Sequence, residues 1–123
     1  MIGERERAAG LYPLLREYMD STGAVLLSFA SCLLARVAAI GAAAGRQWDL
    51  AEEHFSTALR QAEELPFVSE GAETRRWYAQ MLLDRNGPGD RDRARSLVEE
   101  AIPVYGRIGM PRHEELARTL LLR

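Results

Sequence analysis

The chain has 123 residues, 47% hydrophobic and 28% charged, with a formal net charge of −2 and a single cysteine. That length holds one compact domain or a short repeat array, and that apolar share suffices for a core. The near-neutral, interspersed charge excludes a strongly basic nucleic-acid module and an acidic disordered tail. Cys32 alone excludes an intrachain disulfide and a multi-cysteine zinc site, so protein or peptide partners are the default class.

Six helices are expected in chain order, and no segment alternates cleanly enough for a strand. The chain opens Met-Ile-Gly-Glu-Arg-Glu-Arg with no apolar signal core behind it, which predicts a cytoplasmic protein. The first helix spans 4–20 and contains Pro13, which removes an amide hydrogen bond and predicts a kink or boundary. The second spans 25–44. It is long enough for a bilayer, but Arg36 sits in its middle and Ala, Ser and Gly dominate it. The expectation is a soluble helix packed by neighbours on several sides, with no membrane role. Cys32 within it is read as a small buried hydrophobe, and Ser28 and Ser31 have no histidine nearby to activate them.

The third helix begins at Trp48, which is expected to pack at the hairpin turn, and ends near Leu65. His54 in it has Thr57 and Ala58 at i+3 and i+4, so no second ligand or base shares its face. The fourth helix spans 70–85. The turn Asn86-Gly87-Pro88-Gly89-Asp90 lacks the Gly-Lys-Ser/Thr of a phosphate loop, and Asp90 is a plausible N-cap for the fifth helix. That helix ends near Tyr105, contains Pro103 with the same predicted kink or boundary, and offers Arg95 and Glu99 as an i, i+4 pair. The sixth covers 112–122, with His113 in a solvated first turn and an apolar end, Leu120-Leu121-Leu122. The doublets Glu52-Glu53, Glu63-Glu64, Glu99-Glu100 and Glu114-Glu115 read as outer faces. Catalytic residues: none. Metal ligands: none. Cofactors: none.

A repeat organises these helices. Ala8, Ala51 and Ala94 recur every 43 residues. Four residues after each stands Tyr12, Phe55 or Val98, and three further on Leu15, Ala58 or Ala101. This i, i+4, i+7 spacing makes one helix face, with the small residue admitting a neighbouring helix and the larger one filling the space beside it. Thr22-Gly23, Leu65-Pro66 and Ile108-Gly109 align after it as terminators. The domain thus divides into a half repeat 4–22, repeats 24–65 and 70–106, and a terminal helix 111–123. An array that starts and stops mid-unit leaves apolar faces without neighbours.

The run Gly45 to Leu59, with Trp48, Ala51, Phe55 and Ala58 at fixed spacing, resembles the second-helix signature of tetratricopeptide repeats. It departs from that signature by one inserted residue, Gln47, and by a unit longer than the usual ~34 residues. With Leu82 to Arg95 and Gly109-Met110-Pro111, the chain resembles the C-terminal repeat regions of large actinobacterial-type nucleotide cyclases and ATPase-linked transcriptional regulators. The resemblance covers about 11–118 and none of their enzymatic modules.

It implies an all-α solenoid of helical hairpins in which first helices line a groove. Counting from Ala51 and Ala94 puts Arg36 and Arg76 near that groove, with Arg75 adjacent, and of Trp77 and Tyr78 on the same helix Tyr78 is the aromatic taken to face it. Such guanidiniums suit a peptide carboxylate or phosphate. The expected function is a non-enzymatic protein-interaction or regulatory module of a bacterial signalling or transcription regulator. The alternative is a self-associating structural unit, a homodimer through its terminal helices, with no separate ligand.

Overall fold

A computed structural model describes residues 24–65 and 67–123. The predicted first helix, 4–20, lies outside the described residues. Among them the chain is all-α, with five helices and no strand: α1 (Ala24–Ala44), α2 (Trp48–Glu63), α3 (Val68–Arg85), α4 (Asp90–Arg107) and α5 (Pro111–Leu120).

The helix ends follow from local chemistry. α1 is rich in alanine and leucine and free of proline, and it stops where the left-handed region is entered. Gly45 is not the residue that enters it: Arg46 does, at φ 58°. The amide of Arg46 bonds the Ala43 carbonyl at 3.0 Å and that of Gln47 bonds the Ala42 carbonyl at 2.9 Å. This is a Schellman closure, which satisfies carbonyls that the last turn leaves open. α4 closes in the same way through Gly109 at φ 73°, with the Met110 amide on the Tyr105 carbonyl at 2.9 Å. α3 ends on Asn86 at φ 51°. α5 opens with Pro111, whose fixed φ suits a first helical position.

Two expectations are corrected here. Asp90 is not an N-cap: the cap position is Gly89, and Asp90 is the first helical residue. Of the kink or boundary expected at Pro103, the boundary is not there. Pro103 sits exposed within α4, which continues to Arg107. The solvent side tolerates a missing amide bond better, because water reaches the freed carbonyl.

Each helix packs chiefly on its sequence neighbours, α1 with α2, α2 with α3, α3 with α4 and α4 with α5. α1 also touches α3, and α3 touches α5. The 43-residue register is visible in burial. α2 buries Ala51, Phe55, Ala58 and Ala62, and α4 buries Ala94, Val98, Ala101 and Tyr105, the same four positions. Alanines at these sites let helix axes approach closely. Phe55 then stacks on Tyr78, ring centroids 5.3 Å apart and 8° from parallel. Trp48 is partly buried against this core, as its place at the turn predicts.

α3 is enclosed along most of its surface, but α1 is not. The stretch Leu26–Ala44 has a mean hydropathy of 1.9 and is long and apolar enough to cross a membrane by length and composition. Only Cys32, Ala39 and Ala42 are buried in it, while Leu27, Leu34 and Val37 are each more than 60% exposed. The expected enclosure of this helix on several sides is therefore corrected: among the described residues it is covered on one side.

Candidate functional site

The four groove candidates are all engaged by groups of this chain. Arg36 Nη1 donates to Glu70 Oε2 at 2.6 Å, tying α1 to the first turn of α3, and both side chains are nearly buried. Arg75 Nε donates to Glu100 Oε2 at 2.9 Å, with Glu63 at 3.7 Å. Arg76 is buried. It donates from Nη2 to Glu73 Oε2 at 3.1 Å and from Nε to the Tyr105 hydroxyl at 3.3 Å, and its guanidinium lies 4.9 Å from the Trp77 ring centre. Tyr78 is buried in the core and donates its hydroxyl to Glu52 Oε1 at 3.0 Å. An anionic ligand of these arginines would have to displace Glu70, Glu73 or Glu100, each an already formed charge-assisted bond.

Two further clusters join the helices, and neither was anticipated. In the first, Tyr105 of α4 donates to Glu73 Oε1 at 2.5 Å, while His113 of α5 packs tilted on the Tyr105 ring at 5.7 Å and places Nε2 3.9 Å from the same carboxylate. His113 is thus half-buried, not a solvated first-turn residue. Burial raises the Glu73 pKa, but the Tyr105 hydrogen bond and the Arg76 charge outweigh it and hold the group below its ordinary value. The Tyr105 phenol is pushed well up, by burial first and then by the Glu73 carboxylate.

The second cluster sits at the α3–α4 turn. Arg85 grips Asp90 with two parallel bonds, Nε to Oδ2 at 2.8 Å and Nη2 to Oδ1 at 2.9 Å, and reaches Glu52 Oε2 of α2 at 2.9 Å. Arg93 adds a bond to Glu52 Oε1 at 2.5 Å and donates to the Tyr78 hydroxyl at 2.7 Å. Asp90, 4% exposed in its side chain, also accepts the Gly87 amide at 2.9 Å. The Arg85 bonds hold Asp90 below the ordinary carboxylate range despite its burial. Glu52 is lowered too: burial opposes this, and bonds from Arg85, Arg93 and Tyr78 prevail. The expected Arg95–Glu99 pair does not form among the described residues.

The composition held a signal for these clusters. Each of the 16 basic residues is an arginine, the side chain whose planar fork grips carboxylates bidentately.

Alongside the ion pairs, α1 and α3 leave an apolar slot. Ile40, Ala43 and Ala44 of α1 line it together with Trp77, Gln80, Met81 and Asp84 of α3 and the buried Phe55 of α2. Trp77 is only partly buried there. Cys32 is fully buried, with Sγ 3.5 Å from the Ala58 carbonyl, and burial pushes its thiol pKa up. Comparison with protein-family models, with curated proteins and with solved structures finds no match.

Proposed function

We propose that the chain is a non-enzymatic interaction module, a tetratricopeptide-like solenoid of helical hairpins that takes a peptide or protein segment along the surface shared by α1, α3 and α5. The observation that carries this reading is the apolar slot between α1 and α3, lined by partly exposed Trp77 with the polar Gln80 and Asp84. Apolar walls with few convergent polar groups are the usual composition of a binding cleft. The contacts of α1 with α3 and of α3 with α5 give it continuity along the array.

Because Arg36, Arg75 and Arg76 are neutralised within the chain, an apolar anchor residue of the partner supplies the affinity in this reading. The signalling or transcriptional context rests on the resemblance of the repeat to bacterial regulator C-termini, and the cytoplasmic location on the single cysteine, which suits a reducing compartment.

Display of a random peptide library against the whole chain tests it. Enriched peptides should share an apolar anchor and lose about tenfold or more in affinity on Trp77→Ala, as for a buried aromatic contact. Peptides that bind the Trp77→Ala chain undiminished would sink the proposal. The second reading, a homodimer without a separate ligand, draws on the uncharged outer side of α1; a stable dimer on dilution in light scattering would favour it.

A further inference from the structure

The apolar slot between α1 and α3 has a counterpart one repeat along. Ile40, Phe55 and Trp77 line the first slot, and Leu83, Val98 and Leu120, each 43 residues later, line a second one bounded by α3, α4 and the end of α5. The two are alike in size, about 140 and 120 Å³. An apolar cavity of about 150 Å³ takes a benzene-sized group, so each slot has room for one ring or branched aliphatic side chain.

Their charge differs. Where the first slot has Gln80 the second has Arg123, and Arg91 and Arg95 of α4 join it. Asp84 lines the first slot, whereas no carboxylate side chain lines the second. Arg91 and Arg95 are exposed. Arg95 makes no ion pair among the described residues, and Arg91 donates to the Arg123 main-chain carbonyl at 2.7 Å. Arg123 pairs with Asp84 at 2.9 Å, both side chains more than 40% exposed. Such a pair is worth little in water and exchanges readily. It also joins the two slots, since Asp84 belongs to one and Arg123 to the other.

We propose that the second slot is a further docking site on the same surface, for an apolar side chain with a carboxylate beside it. This rests on the proposed peptide surface and specifies its occupant: an extended acidic segment with two apolar residues about three positions apart. The spacing comes from the fold. α1, α3 and α5 touch in succession, so equivalent points of the two slots lie about one helix packing distance apart, ~10 Å. Extended chain covers that in about three residues at ~3.3 Å each. Charge complementarity selects the acidic flank: three guanidiniums around an apolar slot favour a carboxylate through charge-assisted hydrogen bonds and repel a basic segment.

The test displays a random dodecapeptide library against the full chain and measures the enriched peptides by fluorescence anisotropy. They should carry two apolar residues about three positions apart, with Asp or Glu beside one of them. Arg95→Glu should weaken them about fivefold or more, as for a lost charge contact at an interface, and Arg95→Gln should give a smaller loss of the same sign. Arg112→Glu makes the same change of net charge at an exposed α5 residue outside both slots and should leave binding within about twofold. Converting the peptide's acidic residue to its amide should weaken binding to the parent chain and abolish the Arg95→Glu effect, the coupling expected of groups in contact.

Peptides that lose affinity on Trp77→Ala but ignore Arg95→Glu leave the first slot standing and overturn this inference. An Arg95→Glu effect matched by Arg112→Glu, or one that persists with the amide peptide, overturns it too, because it reports the field of the whole protein and not a contact. Peptides that ignore both Trp77→Ala and Arg95→Glu, or a library that yields none, overturn this inference together with the reading it rests on.

Discussion

Replacing Arg85 with methionine keeps most of the side-chain volume and removes a guanidinium that holds two carboxylates. Asp90 would lose both of its close bonds and keep the Gly87 amide, with Arg93 at 3.9 Å. Glu52 would keep Arg93 and the Tyr78 hydroxyl. Stripping one partner from a buried ion pair costs about 3–5 kcal/mol. The surviving partners place Arg85→Met at the low end, about 3 kcal/mol, since each remaining charge-assisted bond offsets part of the loss.

Urea unfolding at pH 7, followed by far-ultraviolet circular dichroism, reads this directly. A cycle with Asp90→Asn should give a coupling of about 1–3 kcal/mol, the range of contacting charged pairs. The pH dependence has a definite sign. Asp90, Glu52 and Glu73 are all lowered in the folded state. Their contribution is complete above the unfolded carboxylate range, roughly pH 4–5, and is lost as pH falls through the lowered folded values. The gap between the parent chain and Arg85→Met should therefore narrow on acidification. A cost under about 1 kcal/mol, or a gap that widens in acid, would refute the account of the turn.

Three further outcomes follow from the packing. Phe55→Ala should cost about 3–5 kcal/mol in the same urea assay, because it removes a fully buried ring stacked on Tyr78. Arg46→Gly should stabilise by about 0.5–1 kcal/mol, since it relieves a side chain at φ 58° and offsets glycine's larger chain entropy; a destabilised variant would contradict the Schellman closure at that residue. Cys32 should resist iodoacetamide at pH 8 in the native chain and react only on unfolding, because it is fully buried and its thiol pKa is raised. Mass spectrometry across a urea series would track that reaction.

The repeat was the legible part of the fold. Ala51, Phe55 and Ala58, and likewise Ala94, Val98 and Ala101, stand at a spacing that forces them onto one helix side, and that side is buried. Breakers such as Gly109 and Pro111 marked turns because their backbone preferences are local. The ion-pair clusters were not legible. Glu52 and Arg85 stand 33 residues apart, and nothing in the neighbourhood of either names the other. Asp90 looked like a cap because its position beside a helix start is local, while its partner Arg85 lies across the turn on the preceding helix. α1 misled for a different reason. A helix with a single charge, Arg36, reads the same whether it is enclosed all round or covered on one side only. For the candidate arginines, occupancy was not readable, since the carboxylates that claim Arg36 and Arg76 sit on α3, within a run that reads as ordinary surface charge.

The helices contact mainly their sequence neighbours, so most of the structure closes over short stretches of chain. Proteins built from such local contacts form quickly, on microsecond to millisecond timescales. α3, buried on more sides than any other described helix and bonded to α2 and α4 through Arg85 and Tyr78, is where closure gains most at least entropic cost. Folding should start there and spread outward. The Glu52–Arg85–Asp90 link crosses from one hairpin to the next, so opening either end strains the other, and amide exchange should report a single cooperative block from α2 to α4 rather than helices that release one at a time.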